Sequence, residues 1–300
     1  MALLCQRRCQ CHQTLKSEDP LSIGVKKISE EGFKHLGSPV GSDAYIVDRI
    51  TNQIEKVRKL LDKLPSLDNP HCEFVLLRSC FSLPKVSYIL RTTPPLPECL
   101  AVWHTFDGHI RDSLNRILGS TVADQAWQQA QLPTSLTGMG LRSAELHSSS
   151  AYLLLSLESR NITDQLLTDM EISVPYIQES LYHLSKVLEL EEPLTQEVIV
   201  GEKQRHLSLR VDRHLHSKLI GSTDETRDKV RYGSLGLPHA GDWLNVVPSS
   251  VLGLQLRSTE FRTAALHRLG LPVFSFAGPC IACGQPSDIF GDHAISCASQ

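Results

Sequence analysis

Long apolar runs are missing from this 300-residue chain. No stretch approaches the roughly 18 consecutive apolar residues that a membrane-spanning helix needs, so no transmembrane segment is expected. The opening "MALLCQRRCQCHQ" is too short in apolar residues to form the core of a secretory signal. An excess of positive charge is missing as well. The formal net charge is −3 with 13 His counted neutral, so any nucleic-acid binding must come from local patches rather than from the whole chain. Catalytic motifs are missing too. There is no G-x-x-x-x-G-K-[ST], no H-E-x-x-H and no G-x-S-x-G, which excludes a P-loop, a zincin and a nucleophile elbow. No two Asp are adjacent or alternate. Acidic residues are scattered or sit in pairs such as Glu191 and Glu192, read here as a helical surface pair. Two-metal phosphoryl transfer, which needs carboxylates held close together, has no obvious seat. The nine Cys are an odd number, which argues against a disulfide framework and for a reduced, intracellular setting, nucleus or cytoplasm, where clustered Cys signals metal.

What is present is ordinary globular material, 41% hydrophobic and 21% charged, enough for two domains. Residues 1–20 read as a loose leader. "FKHLGSPVG" (Phe33–Gly41) alternates and ends in Gly and Pro, the pattern of a short strand or hairpin edge. Helical periodicity starts at Asp43. Ile50, Ile54, Val57, Leu61 and Leu64 recur at three and four, and Pro65 stops the run. "PHCEFVLLRSCFSLPKVSYILRT" predicts a second helix broken at Pro84. "PECLAVWHTFDGHIRDSLNRILG" predicts a third, with Leu100, Trp103, Phe106, Ile110, Leu114 and Ile117 on one stripe and Gly119 as its cap. A short helix in "VADQAWQQAQLP", a glycine-rich turn in "TSLTGMGLRSA" and a helix through Leu157 follow. "PYIQESLYHLSKVLEL" is amphipathic. "TQEVIVGEKQRHLSLRVDRHLHSKLIGS" reads as one long helix, "GSLGLPHAGDWLNVVPSS" as a loop, and "LGLQLRSTEFRTAALHRLGLP" as a last helix.

The chain closes on "CIACGQPSDIFGDHAISCASQ", or C-x2-C-x9-H-x3-C. Zinc takes thiolate and imidazole ligands in a tetrahedron, and a C-x2-C turn lets two sulfurs reach one ion. His293 and Cys297 are four apart, which places both on one face of a helical turn. Cys280, Cys283, His293 and Cys297 are therefore the expected ligands of one structural zinc, with Asp292 placed to fix the imidazole tautomer. Cys5, Cys9, Cys11 and His12 are too cramped to be read as a second site, and Cys72, Cys80 and Cys99 sit in apolar patterns and read as core residues. In "RHLSLRVDRHLHSKL", Leu207, Val211, Leu215 and Leu219 form a buried stripe. Arg205, Arg210, Arg213, His214 and Lys218 lie outside it, as phosphate contacts or as a solvated face.

Five segments occur in a particular order: "FKHLGSPVGSDAYI", "SLPKVSYILRTTPPLP", "QAQLPTSLTGMGLRSA", "LPHAGDWLNVVPSSVLGLQLRSTEFRTAALHRLGLPVF" and the Cys/His tail. From about Gly32 onward, this ordered set resembles the C-terminal half of reverse transcriptase-like proteins encoded by non-LTR retrotransposons. The resemblance implies that Phe33, Leu36, Gly37, Pro39 and Gly41 form the strand that closes the polymerase palm. It implies that the following helices form a thumb holding primer–template duplex, and that a helical linker leads to the zinc knuckle. The fold expected is mainly α: a thumb-like lobe with its short β element (21–158), a helical linker lobe (159–275) and a small knuckle (276–300). The family's paired catalytic Asp and its nuclease carboxylates have no counterpart here. The chain is therefore expected to be a fragment or remnant that does not polymerise alone. Residual RNA or DNA binding through Lys56, Arg58 and Lys59 and through Arg205, Arg210, Arg213 and Lys218 is the expected activity, and a separately encoded palm is a further candidate partner. A helical protein-interaction module with a structural zinc site is the alternative.

Overall fold

A β-hairpin starts the described part of the chain. The structure, a computed structural model, describes residues 31–166 and 176–297. Strands β1 (Gly32–His35) and β2 (Ser38–Gly41) pair antiparallel, Phe33 facing Val40 and Lys34 facing Pro39. Leu36 and Gly37 between them both have positive φ, +47° and +99°, the turn whose twist matches the strands it joins. The expected hairpin is present, and it is tight. A Cβ on Gly41 would sit 2.4 Å from the Glu31 carbonyl oxygen and from the Gly32 Cα.

Helices make up most of the rest. Ser42 opens α1 (Asp43–Leu61), its hydroxyl accepting from the Tyr45 backbone N–H at 3.3 Å. The expected stripe of Ile50, Ile54, Val57 and Leu61 is buried. A short 3-10 turn holding Pro65 follows, then α2 (Pro70–Leu76), a π turn (Leu77–Phe81) and α3 (Leu83–Thr92). The break expected at Pro84 falls at Ser82 instead. Pro84 occupies the first turn of α3, where its missing N–H forfeits no helical bond. Next come α4 (Pro97–Leu118), ended by left-handed Gly119, and α5 (Asp124–Gln131). Helix α6 (Ala144–Leu166) runs past Leu157. Its first turn is capped from α4, where the Asp107 carboxylate accepts from the N–H groups of Ala144 (2.8 Å) and Glu145 (3.3 Å).

Helix α7 (Ile177–Val187) ends before Glu191 and Glu192, which lie exposed in the following loop, not on a helix. The single long helix expected next is two: α8 (Gln196–Ile199) and α9 (Gln204–Gly221), parted at Gly201, whose φ of +88° no helix accommodates. Sequence reading passed over α10 (Thr226–Leu235), a polar helix with Gly233 inside it. After α11 (Ser258–Arg268), a second small hairpin, β3 (Gly278–Pro279) with β4 (Pro286–Ser287), leads to α12 (Asp292–Ser296). The described residues are thus mainly helical, as expected, with the short N-terminal β element and a second small two-stranded sheet before α12.

Contacts group the described residues into two compact units. Unit 1 takes in the residues through Arg58, Lys85–Asp107 and Ala144–Val211; unit 2 takes in Lys59–Pro84, Gly108–Ser143 and Asp212 onward. The core of unit 1 buries Ile50, Leu90, Trp103, Phe106 and Leu153. The core of unit 2 centres on Phe261. His71 stacks on its ring at 5.3 Å, Phe74 lies at 5.4 Å and Trp243 meets it edge-on at 5.9 Å. Beside it the buried Arg268 guanidinium donates to the carbonyls of Gly138, Ala240 and Thr134, each at 3.0 Å. Desolvation lowers its pKa to about 10. Gly138 is obligatory in that turn, since a Cβ there would lie 2.0 Å from the Leu132 carbonyl oxygen.

Candidate metal centre

Backbone hydrogen bonds build the site before any ion enters it. In the β3–β4 turn the Cys280 N–H donates to the Gln285 carbonyl at 2.7 Å, the Gly284 N–H donates back to Cys280 at 2.8 Å, and Gly284 is left-handed at φ +72°. The Cys280 sulfur accepts from the backbone N–H groups of Cys283 and Ala282, which pulls its thiol down to about 6. Cys283 moves the other way. The Gln285 N–H lowers it, but partial burial and the sulfurs of Cys297 and Cys280 outweigh that and raise it.

The second half of the site hangs on Asp288. Its carboxylate accepts from the N–H groups of Phe290 (2.7 Å), Asp292 (3.2 Å) and His293 (2.9 Å). Burial pushes its pKa up, yet these hydrogen bonds prevail and hold it at about 2. That loop launches α12, with His293 in the helix and Cys297 just past its end. Sequence reading missed Asp288. The signal was an Asp two residues ahead of an acceptor-seeking N–H in a Gly-containing turn.

The four expected ligands are brought together. One ligand atom each from Cys280, Cys283, His293 and Cys297 lies within 4.8 Å of the others, and Cys280, Cys283 and His293 are half-buried. The Cys280–Cys297 Sγ separation is 3.9 Å, and Cys283 Sγ lies 3.2 Å from His293 Nε2. A tetrahedral ion with metal–sulfur and metal–nitrogen bonds of zinc length has edges of about 3.8 Å and about 3.6 Å. These two edges straddle those values, and the four ligand atoms spread over no more than 4.8 Å, so the four side chains could hold one metal ion after shifts of up to about 1 Å. No other group of three or more His, Cys, Asp and Glu with that capacity occurs among the described residues.

Asp292 does not play the part expected of it. Its carboxylate pairs with Arg227, Nε to Oδ2 at 2.6 Å and Nη2 to Oδ1 at 3.3 Å, and with His267 Nε2 at 3.3 Å. It ties the metal loop to α10 and α11, and Arg227 also stacks on Phe290 at 3.9 Å. Of the three cysteines read as core, Cys99 is buried, Cys72 is half-buried and Cys80 is exposed, because the π turn carries Cys80 to the outside. Cys5, Cys9, Cys11 and His12 lie outside the described residues.

The expected cationic positions divide. Arg205, Arg210, Arg213 and Lys218 are exposed on α9; of the expected stripe, Leu207, Val211 and Leu219 are buried and Leu215 is half-buried. Lys56 and Lys59 are exposed on α1, but the Arg58 guanidinium is forked onto Glu55 at 2.7 and 2.8 Å and is already matched. Two cations absent from the sequence reading join Lys56. Lys34 of β1 and Arg49, two turns before Lys56 on α1, line the same small cleft of about 80 Å³, with the amides of Asn52 and Gln53 between. No carboxylate lines that cleft. Arg49 was legible only through its i,i+7 spacing from Lys56, and Lys34 only through the hairpin. Among the described residues, no helix is long and apolar enough to cross a membrane. No protein-family model, curated protein or solved structure matches the chain.

Proposed function

We propose that this chain is a helical, zinc-stabilised nucleic-acid-binding segment of a reverse transcriptase-like protein of the non-LTR retrotransposon kind. The observation that carries the reading is the Cys3His quartet. Three thiolates and an imidazole are the donor set of a structural zinc, with no position left open for substrate water. The cleft of Lys34, Arg49 and Lys56 supports it with three cations that can meet backbone phosphates. No catalytic role is assigned to any residue.

The test has two parts on one purified chain. Metal content is measured beside a Cys280→Ser/Cys283→Ser variant, and binding to single- and double-stranded oligonucleotides is followed between about 50 and 200 mM salt. One zinc per chain, lost in the variant, with affinity falling steeply as salt rises, is the expected result. Replacing Lys34, Arg49 and Lys56 by Ala should lower the salt slope by roughly 0.7 to 0.9 for each phosphate no longer neutralised. Zinc without salt-sensitive binding favours the second reading, a protein-interaction module whose zinc is purely structural. The exposed side chains of Val247, Val251 and Leu252 support that reading. A chain that binds no metal overturns both.

A further inference from the structure

A cavity of about 620 Å³ opens in unit 2 between α11 and the metal loop, within the range that small organic ligands occupy. Trp243, Phe274 and Phe290 supply rings to its walls. The first is held edge-on by Phe261 and the third is backed by the Arg227 guanidinium, so two of the three are fixed in place. Phe274 remains 44% exposed. Three ionisable side chains reach the cavity, and each is already engaged. Glu260 is bound to Arg257 at 2.7 Å, His267 to Asp292, and Arg268 to its three carbonyls. Thr259 and Thr263, one turn apart on α11, line the same wall. The cavity therefore offers ring faces, aliphatic side chains and two threonines, and no unmatched charge.

We propose that this cavity takes one unstacked base of a single-stranded nucleic acid. The proposal rests on the nucleic-acid reading above and adds the part of the ligand that is bound. A base is flat and uncharged at neutral pH, and its polar atoms lie on its edge. Aromatic walls match its faces, and threonine hydroxyls match its edge. An anionic or cationic ligand would find no counter-charge. A branched aliphatic anchor would gain apolar burial but leave the two hydroxyls unused.

The experiment uses the full chain and two probes: a dodecamer of thymidines carrying one 5-iodouracil, and neutral 5-iodouridine. Each is irradiated with the protein and the crosslinked residues are mapped. Crosslinks from both probes to Trp243, Phe274 or Phe290 are expected. Phe274→Ala, which trims an exposed ring and spares the core, should weaken the oligonucleotide about five- to a hundredfold without changing its salt slope. Ala264→Trp, which fills the cavity from α11, should abolish these crosslinks while circular dichroism and metal content stay those of the parent. If the oligonucleotide binds but crosslinks only elsewhere, and both variants bind like the parent, the base pocket is wrong and the nucleic-acid reading stands. If the nucleoside crosslinks in the cavity and the oligonucleotide shows no salt-dependent binding, the pocket stands and that reading falls. If neither probe binds, both fall.

Discussion

Remove the Arg268 side chain and three buried carbonyls, on Thr134, Gly138 and Ala240, lose their donors at once. The Arg268 carbonyl itself accepts from Gln129 at 2.9 Å and from Arg231 at 2.5 Å, so the residue joins the glycine-rich turn, the Ala240 loop, α5 and α10. Arg268→Ala should cost unit 2 roughly 2 to 4 kcal/mol, the range for breaking a buried hydrogen-bonded charge. Arg268→Lys should recover little of it, because one ammonium cannot serve three carbonyls that a planar fork reaches together. Denaturant unfolding of both variants checks this, and a loss under about 1 kcal/mol for the Ala variant would contradict it. The same residue explains what "TSLTGMG", "LPHAGDW" and "HRLG" have in common: they meet at one guanidinium. Sequence alone could not show this, since an arginine inside a helical pattern reads as surface until burial is known. The metal ligands were legible because their spacing is itself the geometry. Asp288 and Arg268 were not, because their partners are backbone groups that any sequence possesses.

At the scale of elements, α12 is too short to persist by itself. A helix of five residues lies far below the length at which propagation repays nucleation. Three things hold it: the Asp288 cap, the Arg227–Asp292 pair and, when bound, the metal. Phe290, Gly291, Ala294 and Ile295, which wall the large cavity, all fall between the ligands Cys283 and Cys297. Chelating the metal should therefore loosen that wall and leave the rest of unit 2 folded. Hydrogen exchange should show protection lost over 280–297 with little change in total helix. Asp288→Ala should weaken metal binding by about 10- to 100-fold, as loss of a supporting partner does at other metal sites, which competition with a chromophoric chelator would measure. Long amphipathic helices such as α1 and α4 were legible from apolar spacing. Boundaries were not, and two errors have separate physical causes. Gly201 ends a helix because of its backbone angle rather than its neighbours, and α10 is polar over most of its length with Gly233 inside it, so few apolar residues mark it.

Stability of the whole molecule should fall on both sides of neutrality, and for different groups. On the alkaline side, burial raises Cys99 and Tyr152 to about 12, and burial together with its hydrogen bond to Asp43 raises Tyr176 to about 12. Burial also raises Tyr232. In the unfolded chain these groups ionise near about 8.5 for Cys and about 10 for Tyr. A folded value above the unfolded one stabilises the protein while pH stays below the unfolded value, and that contribution drains away as pH climbs toward about 12. On the acid side, desolvation lowers His71, His183 and His216. Their contribution is present above the unfolded value of about 6.5 and is lost as pH falls through the folded ones. Metal release adds to the acid limb, since thiolates and imidazole must shed protons to bind. Two variants of the experiment separate these terms. Tyr152→Phe should flatten the alkaline limb, by an amount on the order of 2 kcal/mol between about pH 10 and 12, and leave the acid limb untouched. Chelator should remove the metal part of the acid limb and leave the histidine part standing. An alkaline limb of equal steepness in Tyr152→Phe would mean that the buried phenol is not among the groups that set it. An acid limb abolished by chelator would assign that whole branch to the Cys3His site.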